Sequence, residues 1–515
     1  MRRFLSFVTL LAVVAALPSI DLASARSGGS TDFEYEDTPC PQPNVPEFPQ
    51  LDLGPEFTCG TLVVPENRSK PDGRQIKVQY ARAKAASGDS SKTPLVWLEG
   101  GPGGSAFTAA PSLIALGVNQ DRDVIFVDQR GTYHSTLVNC PEIADFNREA
   151  VGLAPTRRDT KRAHTAATQE CHDRWVADDA DLTAFSTKEN AADIADLREA
   201  LGIDEWDVYG VSYGSDLAMQ LVRDHPEGIR SIVLDSAVPP NLDLIPNFWP
   251  AAAQGFDALF GACEAQPACN EAYPDVRQEF FDTVRKLDEA PLELTAPDSS
   301  GTPTTVVIDG YTLANTIVVM SFSVDHPNFS DVPAMVHAIA GGDGTVFAEL
   351  IAGSLPPAGL SGQGDGLGLT VFCRESVAFT TPARTLRAAR RAVPELPDRV
   401  LRLPPQFPQP FDDCKAWDVP PAPKARARAT SDVPVLILSG SFDHVTPPSS
   451  ARFAAKGFPN SKVVEIPGAG HTVVRWSDCA REVMANFLDS PDGYDTSCVD
   501  ALEVPEFTTG PVTLG

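Results

Sequence analysis

Short apolar runs alternate along the chain with segments of helical spacing. The runs predict eight strands, at residues 61–64, 75–81, 94–98, 124–128, 206–211, 230–235, 433–438 and 462–466. The first two are β-branched runs that predict antiparallel strands, whereas the later, apolar runs are typical of buried parallel strands. Helical spacing at residues 190–201, 215–224 and 478–488 adds helices, so the pattern predicts an α/β fold with a mostly parallel sheet.

The strand–helix alternation stops between residues 238 and 430. This stretch leans towards helix, is dense in proline and contains Gly- or Pro-rich loops at 355–369 and 404–423. We therefore expect residues 59–237 and 431–515 to form the two parts of one α/β domain. Residues 238–430 would be inserted between these parts as a cap.

The first 25 residues have the pattern of an export signal. Arg2 and Arg3 are followed by an apolar run at residues 4–17 and by small residues at 23–25, where a signal peptidase would cleave. A membrane anchor is disfavoured because this run is shorter than the ~20 residues that span a bilayer. We therefore expect a periplasmic or secreted protein without a membrane span after cleavage.

Residues 26–58 are rich in Pro, Gly, Ser and acidic residues and predict an N-terminal arm held by Cys40. The ten cysteines fit an oxidising compartment, where neighbours in sequence could pair as disulfides. A metal site is not expected, because the sequence contains no C-x-x-C and no histidine pair with helical metal spacing. The cysteines are Cys40, Cys59, Cys140, Cys171, Cys263, Cys269, Cys373, Cys414, Cys479 and Cys498.

The formal net charge of −28 argues against several classes of partner. Such a chain repels nucleic acid and anionic membranes, and it attracts a substrate that carries a free amine. Solubility is the plainer explanation of the charge, and we favour it over substrate steering. We expect no nucleic-acid partner, no cofactor and a monomeric protein.

The strongest chemical motif is Gly210-Val211-Ser212-Tyr213-Gly214, a G-x-S-x-G sequence between a predicted strand and a predicted helix. In that context the serine occupies a strained turn, and the glycines leave room where strand and helix nearly touch. The serine hydroxyl would project above the strand ends, where the helix directs its dipole at a developing oxyanion. We predict that Ser212 is a nucleophile and not part of an ordinary tight turn.

A glycine-rich loop, Gly100-Gly101-Pro102-Gly103-Gly104, follows the strand at 94–98. A P-loop would require Lys followed by Ser or Thr at its end, and a dinucleotide site requires a different spacing, so phosphate binding is disfavoured. We predict an oxyanion hole instead. A backbone N–H of Gly100 or Gly101 would form it together with the N–H of Tyr213.

Two further residues complete a candidate triad. Asp443 lies just past the strand at 433–438, and His471 lies in a glycine-rich segment after the last strand. The order Ser, Asp, His along the chain is that of α/β-hydrolases. We predict that neutral His471 takes the proton of Ser212, while Asp443 fixes its tautomer and stabilises the imidazolium. His444, beside Asp443, is interpreted as a neighbour and not as the base.

Together these segments resemble the tripeptidyl and prolyl aminopeptidases of the α/β-hydrolase superfamily. The resemblance covers residues 59–488 and implies an α/β-hydrolase fold with an eight-stranded, mostly parallel sheet and a helical cap. It also implies removal of residues from a free peptide N-terminus. The matching segments are Gly100-Gly101-Pro102-Gly103-Gly104-Ser105, Asp128-Gln129-Arg130-Gly131-Thr132, Gly210-Val211-Ser212-Tyr213-Gly214-Ser215, Asp443 with Thr446-Pro447, and Gly470-His471.

Three departures from the prolyl enzymes favour the exported tripeptidyl branch of this family. Glu99 replaces a histidine before the glycine-rich loop, and Tyr213 replaces a tryptophan after the nucleophile. The segment Thr132-Tyr133-His134-Ser135 replaces a run of Ser or Thr, Gly, any residue and Ser.

The implied activity requires a carboxylate that holds the ammonium group of the substrate. Glu99 beside the loop and Glu375 after Cys373 are the candidates, and either could instead be a solvated or structurally paired acid. Asp128 and Arg130 are expected to brace the loop.

The resulting prediction is an exported serine aminopeptidase that acts on peptides through an acyl-enzyme and releases tripeptides or single prolyl or aminoacyl residues. The first alternative is a carboxylesterase or lipase with the same triad, which should hydrolyse p-nitrophenyl esters much faster than any peptide. The second is a non-catalytic binding protein on a hydrolase scaffold, which should not react with a fluorophosphonate probe.

Overall fold

A computed structural model describes residues 34–38, 40, 53–325, 327–355 and 364–513. The predicted signal peptide and most of the predicted N-terminal arm lie outside the described residues. Within the described ranges, no helix combines the length and the apolar character that a membrane span requires.

Nine strands of the described chain form one sheet, and two further strands form a hairpin. The strands are β1 Glu34–Thr38, β2 Phe57–Pro65, β3 Gln75–Ala83, β4 Leu95–Leu98, β5 Val124–Asp128, β6 Trp206–Val211, β7 Ile229–Asp235, β8 Leu292–Pro297, β9 Pro303–Ile308, β10 Val435–Gly440 and β11 Ser461–Ile466. The sheet order is β1-β2-β3-β5-β4-β6-β7-β10-β11, and β8 pairs with β9.

The sheet confirms the predicted fold class. From β5 through β4, β6, β7 and β10 to β11, neighbouring strands are parallel, whereas β1, β2 and β3 form an antiparallel edge. All eight predicted strands are present with bounds shifted by a few residues. The structure adds β1 at the edge beside β2, which the sequence pattern did not predict.

The helices flank the sheet and fill the stretch between β7 and β10. They are α1 Ala106–Ala115, α2 Pro141–Ala150, α3 Arg158–Ala177, α4 Thr187–Ala200, α5 Tyr213–Asp224, α6 Leu244–Ala265, α7 Pro267–Ala272, α8 Val276–Glu289, α9 Gly310–Val319, α10 Val332–Ala340, α11 Thr345–Gly353, α12 Asp365–Val371, α13 Pro382–Ala392, α14 Asp398–Leu401, α15 Pro410–Trp417, α16 Pro448–Ala454, α17 Val473–Trp476 and α18 Asp478–Asp489. A π-helical turn, Phe372–Ser376, follows α12 directly.

Helices cover both faces of the sheet. In β4, Leu95 and Trp97 pack on one face with residues of α1 and α18. Val96 and Leu98 point to the other face and pack with residues of α4, α5 and α16. Because both faces are buried, each central strand needs apolar residues at every position, which explains the continuous apolar runs in the sequence.

The segment between β7 and β10 has an apolar core of its own. Phe256, Phe280, Ile317 and Val336 are fully buried in it, together with residues from α6, α8, α9, α10 and both strands of the β8–β9 hairpin. The sequence pattern predicted helices here but not the hairpin. The role of residues 238–430 as a cap, and the domain boundaries drawn around them, stay predictions.

Helices α2 and α3, which the sequence analysis left unassigned, pack against this inserted segment. Ile143 of α2 and Cys171 of α3 share an apolar cluster with Leu369 of α12 and Trp417 of α15. Helices α2 and α3, which follow β5 in the chain, therefore pack beside the inserted segment although they lie outside it in sequence.

Disulfides join all ten cysteines in pairs of sequence neighbours, as predicted. The bridge between Cys40 and Cys59 ties the segment before β2 to that strand. A second bridge, between Cys373 and Cys414, ties the π-helical turn to α15. The other three are Cys140–Cys171, Cys263–Cys269 and Cys479–Cys498.

Candidate active site

Ser212 occupies the turn between β6 and α5 in a strained conformation. Its φ of 53° and ψ of −124° lie in a region that non-glycine residues rarely adopt. A Cβ on Gly210 would lie 2.3 Å from the carbonyl oxygen of Gly214, and a Cβ on Gly214 would lie 2.0 Å from that of Leu98. Only glycine allows this close approach, which confirms the predicted strand–turn–helix geometry.

Asp443 and His471 contact each other beyond the ends of β10 and β11. His471 Nδ1 lies 2.8 Å from Asp443 Oδ2. The other carboxylate oxygen, Oδ1, accepts hydrogen bonds of 2.8 Å from the N–H groups of Val445 and Thr446. These contacts fix the carboxylate, and the carboxylate in turn fixes the imidazole ring.

The Nε2 atom of His471 is the ring nitrogen left to exchange a proton, because Asp443 engages Nδ1. Within the described chain, Nε2 has no hydrogen-bond partner. The backbone of His471 is held on both sides, since its N–H donates to Ser321 and its carbonyl accepts from Trp476. Phe322 contacts the ring edge-on, with ring centroids 4.8 Å apart.

The charges of this pair reinforce each other. Burial acts to raise the pKa of Asp443, but the positive charge and hydrogen bond of His471 and the hydrogen bonds of Thr446 outweigh it and hold the pKa at about 2. Burial acts to lower the pKa of His471, but the charge and hydrogen bond of Asp443 raise that pKa above its ordinary value of 6.5. The arrangement therefore strengthens the imidazole as a base.

His444 makes no hydrogen bond to a carboxylate among the described residues. It is buried, its Nδ1 donates to the carbonyl of Phe442 at 2.7 Å, and its ring stacks on Phe329. Burial lowers the pKa of His444 to about 4. This agrees with the interpretation of His444 as a structural neighbour.

The glycine-rich loop packs directly on the serine turn. A Cβ on Gly100 would lie 2.9 Å from the Cβ of Ser212. The N–H of Gly100 donates to the Glu99 side chain at 3.0 Å, so it is already engaged. The N–H groups of Gly101 and Tyr213 have no acceptor among the described residues. Between the two alternatives from sequence, the geometry favours Gly101 with Tyr213 as the oxyanion-binding pair.

The Glu99 carboxylate is satisfied by its own neighbours. Besides the Gly100 N–H, it accepts a hydrogen bond of 2.9 Å from the indole N–H of Trp97. Burial raises the pKa of Glu99, while Arg475 and His471 nearby oppose the shift. Glu99 thus holds the start of the glycine-rich loop, and its role as an amine-binding acid stays a prediction.

Asp128 and Arg130 lie beneath the loop and are fully engaged with protein groups. Asp128 accepts hydrogen bonds from the hydroxyl of Ser105 and the backbone N–H of Phe107, and it contacts His134 Nδ1 at 2.6 Å. Arg130 forms two hydrogen bonds of 2.7 Å with Asp193. The contacts of Asp128 reach the start of α1 directly after the loop, as bracing requires, whereas those of Arg130 reach α4 and not the loop.

Most of the predicted site residues meet in one cavity of about 790 Å³. It lies between the strand ends and the inserted segment, and α2 and α3 add to its wall. Asp443 does not line the cavity but reaches it through His471. The predicted residues that line it are Glu99, Gly100, Gly101, Ser212, Tyr213, Glu375 and His471.

Two known families match this chain on either side of the insertion. Residues 93–272 match the family described as alpha/beta hydrolase fold, and residues 405–498 match that described as TAP-like protein. The chain has the α/β-hydrolase fold. The first match includes the turn at Ser212, and the second includes both Asp443 and His471.

Several similar curated proteins are peptidases by name, and the similar solved structures include a peptidase and an esterase. The hydrolase is 26% identical over 474 residues to the serine protease Hip1 of Mycobacterium tuberculosis, with 88% of each chain covered. It is 27% identical over 306 residues to a tripeptidyl aminopeptidase of Streptomyces coelicolor. That alignment covers 53% of this chain and 56% of the aminopeptidase. A solved proline iminopeptidase of Mycobacterium smegmatis is 17% identical, with a TM-score of 0.38, covering 84% of this chain and 98% of its own.

The hydrolase has a carboxyl pair in its cavity, of which the sequence revealed only one member. Glu375, in the π-helical turn, accepts hydrogen bonds from the backbone N–H and hydroxyl of Thr187 at 3.1 and 2.7 Å. Asp216 lies in the first turn of α5, and its Oδ1 has no hydrogen-bond partner in the described part of the chain. Burial and then the charge of Glu375 raise the pKa of Asp216 well above its ordinary value. Asp216 follows Ser212 by one helical turn, a spacing that could have indicated it.

Asp235 is a second residue that sequence reasoning missed. It ends β7, is fully buried, and accepts hydrogen bonds from the N–H groups of Val473 and Val474 at 2.8 and 3.1 Å. Those residues begin α17, two positions after His471. Asp235 therefore anchors the loop that carries the histidine, and an acid at the end of the strand beside β6 was the available signal.

The described residues contain one cluster with metal-ligand side chains, formed by Cys140, Glu142 and Cys171. Its two cysteines are joined in a disulfide, so their sulfur atoms cannot act as thiolate ligands.

Proposed function

We propose that this hydrolase is an exported serine aminopeptidase that cleaves peptides from the free N-terminus through an acyl-enzyme. The observation that carries the proposal is the carboxyl pair of Asp216 and Glu375 in the same cavity as Ser212 and His471. An esterase needs the nucleophile and base but has no use for acids that hold an ammonium group. The names of the relatives, serine protease and tripeptidyl aminopeptidase, support a peptidase.

The proposed reaction begins with attack of the Ser212 hydroxyl on the scissile carbonyl while His471 Nε2 takes its proton. The N–H groups of Gly101 and Tyr213 hold the oxyanion that forms. As the tetrahedral intermediate collapses, the C–N bond breaks and His471 returns the proton to the leaving amine. Water then attacks the acyl-enzyme by the same route, which releases the N-terminal fragment and restores Ser212.

The substrate ammonium would lie between Asp216 and Glu375. Burial raises the pKa of the Glu375 carboxyl, and burial together with the charge of Glu375 raises the pKa of Asp216, so negative charge on both acids at once is disfavoured. An arriving ammonium group would compensate that charge and form charge-assisted hydrogen bonds with both carboxylates. An N-blocked peptide has no charge to offer and would leave the pair uncompensated.

The size of the cavity favours release of a fragment longer than one residue. Its volume of about 790 Å³ is towards the upper end of the roughly 300–1,000 Å³ range of sites that hold drug-sized ligands. Tripeptide release is therefore favoured over prolyl or single aminoacyl release. The match of residues 405–498 to the TAP-like family agrees with this preference.

Export forms part of the proposal on two grounds. The N-terminal sequence has the pattern of a signal peptide, and the described cysteines are all paired in disulfides, as in proteins of oxidising compartments.

The test compares p-nitroanilides of one tripeptide with a free and with an acetylated N-terminus. We expect the free-amine substrate to be preferred by about a hundredfold or more in kcat/KM. Ser212→Ala should abolish both this hydrolysis and labelling by a fluorophosphonate probe, and mass spectrometry of products from an unblocked peptide should show tripeptides. Equal rates on both substrates, with faster turnover of p-nitrophenyl esters, would favour the esterase; labelling that persists in Ser212→Ala would contradict the mechanism.

A further inference from the structure

A lysine without a partner lines the cavity on the side formed by α3. Lys161 is partly buried in the first turn of that helix. The residues that the structure describes offer no carboxylate within ion-pair distance of its Nζ and no acceptor for a hydrogen bond from it. Among the described residues that line the cavity, the other lysine or arginine is Arg475, which acts on Glu99. Lys161 differs in sign from the acids that line the same cavity.

The surroundings of Lys161 disfavour its positive charge. Burial has the largest effect and, together with the positive charge of Arg402, lowers the pKa of Lys161, whereas Asp412 opposes the shift. The N-terminus of α3 adds partial positive charge at the same place. His164, one turn further along α3, contacts Asp413 instead, so that acid is engaged elsewhere.

Lys161 and the carboxyl pair are carried by different elements of the cavity wall. Lys161 lies in α3, whereas Asp216 lies in α5 and Glu375 in the π-helical turn. Neither acid is among the charges that act on Lys161. A ligand that fills the cavity can therefore present a cation at one place and an anion at another.

We propose that Lys161 forms a carboxylate-binding subsite, and that the hydrolase favours peptides that present a carboxylate to it. This inference rests on the proposed peptidase function and adds a substrate class to it. A carboxylate would form a charge-assisted hydrogen bond with the ammonium of Lys161, which relieves the unpaired charge. Peptides supply this group in two ways, through a Glu or Asp side chain in the released fragment or through the C-terminal carboxylate of a short peptide.

The experiment uses the full exported protein and two matched sets of peptides. The first set consists of free-amine tripeptide p-nitroanilides with Glu or Gln at each position in turn, which carry no C-terminal carboxylate. The second set consists of neutral tetrapeptides that end in a carboxylic acid or in an amide. Each set is assayed with the wild type, Lys161→Met, Lys161→Arg and the control Lys188→Met, which changes an exposed lysine outside the cavity.

We expect the wild type to prefer the acidic member of one set by about tenfold to a hundredfold in kcat/KM. Lys161→Met should remove that preference mainly through KM and leave neutral substrates unchanged, because it keeps the apolar stem and loses the charge. Lys161→Arg should restore most of the preference, and Lys188→Met should behave as wild type. The set that shows the effect identifies the source of the carboxylate.

Two outcomes would overturn the subsite while leaving the peptidase intact. One is a wild type that hydrolyses free-amine peptides but treats Glu and Gln, and acid and amide, alike. The other is an acidic preference that survives in Lys161→Met. Failure of the wild type to cleave any free-amine peptide would instead refute the proposed function, so the two results are distinguishable.

Discussion

The hydroxyl of Thr446 donates a hydrogen bond of 2.6 Å to Asp443 Oδ2, the same carboxylate oxygen that contacts His471. It also lies 3.2 Å from His471 Nδ1. The hydroxyl of Thr446 thus holds Oδ2 of Asp443, whereas backbone N–H groups hold Oδ1. Together these contacts limit rotation of the carboxylate away from the imidazole. The geometry of the candidate triad therefore depends on this loop as well as on Ser212, Asp443 and His471.

Replacement of Thr446 tests that dependence. Thr446→Val keeps the shape of the side chain and removes the hydroxyl, so one hydrogen bond to a charged group is lost. We expect kcat to fall about tenfold or more with little change in KM. Thr446→Ser should retain most of the activity, and equal kcat in the Val and Ser variants would show that the hydroxyl does not position Asp443.

Replacement of Asp443 changes both the rate and its dependence on pH. The base must be neutral, so kcat/KM of the wild type should fall as pH drops through the pKa of His471, which is raised above 6.5. In Asp443→Asn the negative charge is absent and burial dominates, so the midpoint of this acidic limb should move to lower pH. We also expect kcat to fall by roughly 10³–10⁴. A pH–rate profile measures both effects, and an unmoved midpoint would argue against coupling between the two residues.

Addition of one methyl group at Gly100 should disturb the nucleophile. The new Cβ would lie 2.9 Å from the Cβ of Ser212 and 3.2 Å from the carbonyl oxygen of Val211, so the loop or the serine turn must shift. We expect Gly100→Ala to lower kcat by about a hundredfold, since a displacement of an ångström can have that effect. The control is Gly261→Ala in α6, where a Cβ meets nothing within 4 Å. Its activity should equal wild type, whereas full activity of Gly100→Ala would show that the loop does not constrain Ser212.

The carboxyl pair should affect only substrates with a free amine. We expect Glu375→Gln and Asp216→Asn each to lower kcat/KM by about tenfold to a hundredfold on a free-amine tripeptide p-nitroanilide. The acetylated substrate should be affected much less, and Glu227→Gln, at an exposed acid outside the cavity, should match wild type. Because the two acids act on one charge, the double variant should lose less than the sum of the single effects. Equal losses on free and acetylated substrates would indicate a purely structural role.

Local sequence was sufficient for every strand of the described sheet except β1, and for the candidate triad. Ser212, Asp443 and His471 each follow a strand, and the carboxyl ends of parallel strands meet at one edge of a sheet. The strained serine turn is encoded within five consecutive residues, Gly210 to Gly214, so no distant contact was needed to recognise it. Disulfide pairing between sequence neighbours was equally local.

Elements without a continuous apolar run or a wide apolar stripe escaped prediction. Strand β8, Leu292–Pro297, is exposed at alternate positions, partly buried at Leu292 and Leu294 and buried at Ala296, so it shows no continuous apolar run. Helix α3, Arg158–Ala177, buries only four of its twenty residues and therefore lacks a wide apolar stripe. Such elements are stabilised by what they pack against, which a single sequence does not reveal.

The tertiary structure alone decided which charges share the cavity. It brought Asp216 and Glu375 together from distant parts of the chain, engaged Glu99 with Trp97 and Gly100, and left Lys161 in the wall without a counterion among the described residues. The physical reason is that a charge near a triad depends on desolvation and on neighbours supplied by other elements, whereas a strand or a turn depends on adjacent residues. The amino-acid sequence therefore determined the hydrolase scaffold and its candidate triad, and the packing of the inserted segment determined which charged groups line the cavity.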